Sequence, residues 1–144
     1  MSTSIVSDLV LLIEDDPRHA DLFRMAWEDA NLDLRLVVAG DADEALGLLQ
    51  ADGPTDLPGL VLLDLNLPGR DGCDILREIR TDARLMHLPV VVLTSSSSPR
   101  DYRIVRDLGG DAFVTKPLRY EDLVSEVLGL ADRWFPGARH VGAS

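Results

Sequence analysis

The chain has 144 residues, 46% of them hydrophobic, and 14 Lys+Arg against 25 Asp+Glu give it a net charge of −11. That length holds one ordinary domain of about 100–200 residues, and the apolar content is too high for a disordered tail. The charge argues against sequence-independent binding to nucleic acid or an anionic membrane, because each phosphate contact needs a local cation; a basic partner or a bound cation fits better.

Leu9 to Ile13 (LVLLI) predicts a first strand. Asp16-Pro17 then places an N-cap before a proline at the first helical position and predicts a helix to about Ala30, with Leu22, Met25 and Ala26 on its apolar face. Leu34 to Ala39 is a second strand, and Asp41 with Glu44 three residues on forms a capping box for a helix that buries Ala45, Leu48 and Leu49. Leu60 to Leu63 is a third strand, followed by a helix over Gly72 to Arg80 with Ile75, Leu76 and Ile79 at helical spacing. Pro89 to Leu93 is a fourth strand. Ser98-Pro99 opens a fourth helix carrying Tyr102, Val105 and Leu108, and Gly109-Gly110 ends it. Ala112 to Thr115 is a fifth strand, and a fifth helix runs from Tyr120 to about Trp134 with Leu123, Val127 and Leu130 along it.

Strand and helix alternate five times, and the central three strands are nearly continuous in apolar residues, as when helices cover both faces of a parallel sheet. The expected fold is α/β: a single doubly wound five-stranded parallel sheet with five helices, of flavodoxin-like topology. Residues 1–8 read as an N-terminal extension, 9–134 as the domain and 135–144 as a flexible tail.

In an open parallel sheet, ligands bind beyond the carboxyl ends of the strands, near the switch in strand order. Here those ends carry Glu14-Asp15-Asp16, Asp64, Thr94 and Lys116-Pro117. Two carboxylates about 4 Å apart repel by roughly 4 kcal/mol at an effective dielectric of about 20, so Glu14, Asp15 and Asp64 require a compensating charge. Mg2+ suits hard oxygen ligands and takes one or two protein carboxylates plus phosphate oxygens. Lys116 adds a compact cation and Thr94 a hydroxyl. These are the parts for holding a phosphoryl group on an aspartate, which forms an acyl phosphate by in-line displacement. Taken singly, Asp16 is most simply an N-cap, Thr94 a strand-end hydroxyl and Lys116 a surface lysine; the conjunction carries the reading.

Four blocks resemble the response-regulator receiver domain of two-component signalling: IEDD at Ile13 to Asp16, LLDLNLPGRDG at Leu62 to Gly72, VVVLTS at Val90 to Ser95 and FVTKP at Phe113 to Pro117. The match spans roughly Leu9 to Leu130. The resemblance implies Asp64 as phospho-acceptor, with Mg2+ (Mn2+ as a substitute) held by Asp15, Asp64 and the carbonyl of Asn66, and by Glu14 through water. A pairing of Asp15 with Asp16 stays open, although Pro17 favours the first assignment. It further implies Thr94 as the switch hydroxyl, Phe113 as the aromatic switch, a small Ser95 that leaves room for the phosphodonor, a cis bond before Pro117, and Asn66 and Ser96 as rate-tuning positions. Neither of the last two is a carboxylate, which points to slow to moderate self-dephosphorylation.

The resemblance is to single-domain regulators, similar to those paired with phytochrome-type sensor kinases. It implies a sensor histidine kinase as partner, a downstream protein target and a homodimer as a further option, with no direct nucleic acid or membrane partner and no multiple-turnover activity. Only 14 residues follow Leu130, so output is expected through the domain's own surface: Arg100, Tyr102 and Arg103 on the fourth helix, and Tyr120, Leu123, Val127 and Trp134 on the fifth, although the apolar positions of the fifth helix could simply pack on the sheet.

An alternative is a haloacid dehalogenase-type Mg2+ phosphohydrolase, but that family places an Asp two residues after the nucleophile, on its first strand, where this chain has Asn66 after its third. A flavodoxin-like module would want a phosphate loop after the first strand. His19, His87 and His140 lie in no histidine-phosphotransfer context. Apolar runs far shorter than the roughly 18–20 residues of a membrane span, an N-terminus without signal-peptide character, and a lone Cys73 read as a small buried side chain make the cytoplasm the expected location.

Overall fold

The computed structural model describes residues 8–50, 57–65, 72–95 and 98–137; Asn66, Ser96 and His140 lie outside them. Strands β1 (Leu9–Ile13), β2 (Arg35–Ala39), β3 (Leu60–Asp64), β4 (Val90–Thr94) and β5 (Ala112–Thr115) alternate with helices α1 (Pro17–Ala30), α2 (Ala42–Leu49), α3 (Gly72–Thr81), α4 (Pro99–Asp107) and α5 (Tyr120–Trp134). The strands form one parallel sheet in the order β2-β1-β3-β4-β5, so the order reverses between β1 and β3. No helix among the described residues is long and apolar enough to cross a membrane.

Alternation along the strands divides the core in two. Leu11, Ile13, Val61, Leu63, Val90 and Val92 face Ala45 and Leu49 of α2, Ile75 and Ile79 of α3, and Val105 of α4. Val10, Leu12, Leu60, Leu62, Val91 and Leu93 face Phe23 and Trp27 of α1 and Leu123, Val127 and Leu130 of α5. Strands β3 and β4 are buried throughout. The central-strand expectation fails for β2, which alternates between exposed and shielded residues because it forms one edge of the sheet.

The caps form as the sequence predicts. Asp16 accepts from the Arg18 amide at 2.9 Å, with Pro17 opening α1. Asp41 accepts from the Glu44 amide at 2.8 Å, and Glu44 reaches back to the Gly40 amide at 2.7 Å, one residue before the cap. Ser98 caps α4 through the Arg100 amide.

Three expected faces are corrected. In α1 the buried residues are Ala20, Phe23, Ala26 and Trp27, while Leu22 and Met25 are exposed; the larger aromatic surfaces win the contact with the sheet, and Trp27 Nε1 donates to Leu34 O at 2.9 Å. Leu48 of α2 is exposed. In α5, Leu123 and Val127 are buried in the core with the sheet and α1, so packing on the sheet accounts for them. Phe135, placed in the tail by the sequence, is also buried.

Candidate functional site

Parallel register brings the strand ends together. Ile13 pairs with Leu63 and Asp64 with Leu93, the Leu65 amide donates to Leu93 O at 3.0 Å, and the Lys116 amide donates to Thr94 O at 2.7 Å. Glu14, Asp64, Thr94 and Lys116 therefore leave the sheet at one rim, beside the reversal in strand order, where such folds bind ligands.

At that rim Lys116 Nζ donates to Glu14 Oε1 at 2.7 Å and to Asp64 Oδ2 at 3.1 Å. Glu14, Asp64 and Thr94 are buried. Burial pushes the Glu14 carboxyl above its ordinary range, with Asp64 adding to the rise and Lys116 opposing it. Burial alone would lower the Lys116 ammonium, but the Glu14 and Asp64 carboxylates outweigh it and hold its pKa above the usual lysine value. One cation thus faces two buried acidic side chains. Asp15, half-buried, completes a group in which one carboxylate oxygen each from Glu14, Asp15 and Asp64 lie within 4.8 Å of one another. An all-oxygen donor set at that spread fits a hard divalent cation after a small inward movement.

Asp16 stands apart from this group. Its side chain is taken by the Arg18 amide and guanidinium, which hold its carboxyl below the usual range, and its oxygens are not among those that Glu14, Asp15 and Asp64 bring together.

These strand-end positions coincide with a family model, described as the response regulator receiver domain, that matches residues 10–128. The chain belongs to that receiver family. The probable methanogenesis regulatory protein FilR2 of Methanothrix harundinacea is 37% identical over 136 residues, covering 93% of this chain and 88% of the relative. Response regulator Rcp1 of Synechocystis sp. is 33% identical over 129 residues, 88% of each. The crystal structure of the Mn(2+)-bound form of response regulator Rcp1 superposes with a TM-score of 0.77 at 32% identity, over 93% of this chain and 96% of that one. That of the phosphorylated cyanobacterial phytochrome response regulator RcpA superposes with a TM-score of 0.79 at 32% identity, over 89% and 94%. The receiver domain is thus homologous to phytochrome response regulators, and these matches lend the phosphohydrolase alternative no support.

The remaining expected residues of the receiver divide. Phe113 is half-buried against the α3 side of the core, with the Tyr102 ring edge-on to it at 5.7 Å between centroids. Arg100, Tyr102 and Arg103 are exposed on α4. Tyr120 and Trp134 are half-buried; the Tyr120 hydroxyl donates to Asp29 of α1, while Trp134 Nε1 is buried with no partner among the described residues. Cys73 is only partly buried. The described residues contain no cis peptide bond, so the bond before Pro117 is trans, contrary to expectation. Trans is favoured by about 0.5–1 kcal/mol before proline, and the flexible lysine stem reaches both carboxylates from that geometry.

Sequence reasoning passed over two neighbours of the site. His19, on the first turn of α1, lies 3.9 Å from Glu14 Oε1. With Leu22, Phe23, Ser95, Pro117 and Leu118 it lines a cavity of about 240 Å3 beside Lys116. Leu118, wholly exposed, is the signal that could have found it: a bare leucine directly after the site lysine and its proline.

Proposed function

We propose that this receiver accepts a phosphoryl group on Asp64 from the phospho-histidine of a sensor kinase, of phytochrome type, in the cytoplasm. The carrying observation is the shared ammonium of Lys116, hydrogen-bonded to both Glu14 and Asp64. In the transfer the P–N bond of the donor imidazole breaks, a bond forms between Asp64 Oδ and phosphorus, and the released nitrogen takes up a proton. Lys116 holds one Asp64 oxygen in place and meets the charge that spreads over the phosphoryl oxygens.

Asp15 and Asp64 would hold Mg2+ directly and Glu14 through water, with Mn2+ as a substitute; when bound, the metal neutralises charge developing on the transferred group. Thr94 then turns its hydroxyl to the phosphoryl oxygen, and Phe113 follows inward with it. Phosphorylation adds about −1.5 to −2 charges, which biases this two-state element and the exposed α4 residues Arg100, Tyr102 and Arg103 toward a downstream protein or a second copy. The apolar cavity at His19, Leu22, Pro117 and Leu118 offers the kinase a seat beside the acceptor. Asn66 and Ser96 supply no carboxylate base for hydrolysis, which supports a slow to moderate loss of phosphate; an Asn66 replacement that leaves the half-life unchanged would contradict that assignment.

Incubation with phosphoramidate and Mg2+, followed by intact-mass measurement, tests the reading. One phosphoryl adduct per chain is expected, dependent on the divalent ion and absent in Asp64→Asn. Catalytic turnover of simple phosphate esters instead would favour a hydrolase.

A further inference from the structure

We infer that the groove between α3 and α4 is a docking site for a basic, apolar helical segment of a partner protein. The groove has a volume of about 480 Å3. Its α4 wall is a stripe of Asp101, Ile104 and Leu108 at i, i+3 and i+7, with Asp107 beside it. Its α3 wall carries Asp74 and Arg77, and Leu65 lines it from the end of β3. Ile104 is 38% exposed, an apolar side chain left to water among carboxylates.

The charges choose the occupant. Asp74 and Arg77 are paired at 2.9 Å, so the α3 wall is close to neutral. Asp101 has no ion pair among the described residues, and the Asp107 carboxylate is 3.6 Å from an exposed Arg106 guanidinium that does not line the groove. Three carboxylates and one guanidinium thus frame an apolar strip. An acidic segment would be repelled, and a wholly apolar one would strip water from Asp101 and Asp107 without replacing it. A helix with Leu-type residues on one face and Lys or Arg on its flanks answers both demands.

The groove is also tied to the strand-end site. Leu65 follows Asp64, its amide is bonded to Leu93 O, and its carbonyl accepts from the amide of Gly72 at the start of α3, both at 3.0 Å. Docking itself does not depend on the phospho-acceptor reading; a change of affinity on phosphorylation of Asp64 does rest on it.

The test is a titration of the full 15N-labelled chain with a synthetic helical peptide carrying Leu at i and i+4 and Lys on the flanks, against the same peptide with Glu for every Lys. Amide shifts map the site and calorimetry gives the affinity. The Lys peptide is expected to shift Leu65, Asp74, Ile104 and Leu108, and to bind at least about tenfold more weakly to Ile104→Glu and to Asp101→Lys. Glu121→Lys, an equal charge change on exposed α5, should bind as the parent does. Circular dichroism checks folding, and Asp107→Lys stands in for any variant that does not fold. No binding of the Lys peptide, shifts elsewhere, or equal weakening by Glu121→Lys would overturn the inference. Those results leave the phospho-acceptor reading untouched, since the phosphoramidate adduct reports it separately.

Discussion

Lys116 and Asp64 meet at 3.1 Å across 52 residues of chain, and the same ammonium is 2.7 Å from Glu14. One lysine therefore holds two buried carboxylates in check, and each partner's removal has an opposite consequence. Asp64→Asn leaves Glu14 paired one-to-one with Lys116 and should raise the stability of the metal-free protein by about 1 kcal/mol. Lys116→Met leaves the two carboxylates facing each other and should lower it by about 3–5 kcal/mol. Urea unfolding in the presence of a chelator measures both; a loss of stability in Asp64→Asn would contradict the electrostatics.

Gly72 is where α3 approaches the end of β3. A Cβ there would stand 2.6 Å from Asp64 O and 2.8 Å from Leu65 Cα, both backbone atoms with little room to yield. Gly72→Ala should therefore cost about 1–3 kcal/mol and slow phosphorylation from phosphoramidate by displacing the acceptor. Parent-like stability and rate would show that the junction gives way freely.

Arg80, at the end of α3, donates to Gly109 O at 2.9 Å, Leu88 O at 2.7 Å, Met86 O at 3.2 Å and Asp111 Oδ2 at 2.8 Å. It ties the loops that lead into β4 and β5 to α3. Arg80→Ala should destabilise by about 2 kcal/mol, since charge-assisted bonds to backbone carbonyls are lost together. Arg80→Lys should recover less than half of that, because an ammonium cannot span the fork. Thermal or urea unfolding decides it, and full rescue by lysine would reduce the role to charge alone.

The hydrogen bond from Tyr120 to Asp29 pushes the phenol up to about 12 from 10.0. A raised acid pKa means that the folded state holds the proton more tightly than the unfolded chain. The contact's contribution is present in full below pH 10 and is lost as pH rises from there to about 12. A tyrosinate absorbance titration should show Tyr120 ionising at lower pH in Asp29→Asn than in the parent; identical curves would remove the contact from the account.

Punctuation and strand ends were the legible parts of the sequence. Asp16-Pro17, Asp41 with Glu44, and Ser98-Pro99 start helices where their chemistry says they should, because a cap is a local bond. The chain order of apolar runs placed Glu14, Asp64, Thr94 and Lys116 on one rim, because parallel register leaves little choice. Helix phase was harder to read. In α1, apolar residues at 20, 22, 23, 25, 26 and 27 surround more than half the helix, so periodicity alone cannot decide that Phe23 and Trp27 go inward while Leu22 and Met25 do not. Arg80 was invisible because three of its acceptors are carbonyls, which carry no residue signature. The trans bond before Pro117 departs from a family expectation rather than from anything the residues themselves dictated.

Chemical location of the phosphoryl group tests the central claim most directly. After phosphoramidate treatment, borohydride reduction converts an acyl phosphate on aspartate to homoserine, which peptide mass spectrometry places in the sequence. Homoserine at position 64, and its disappearance when Mg2+ is withheld, is the predicted result. Homoserine at Asp15 or Asp16, or none at all in protein that carries the phosphoryl mass, would contradict it.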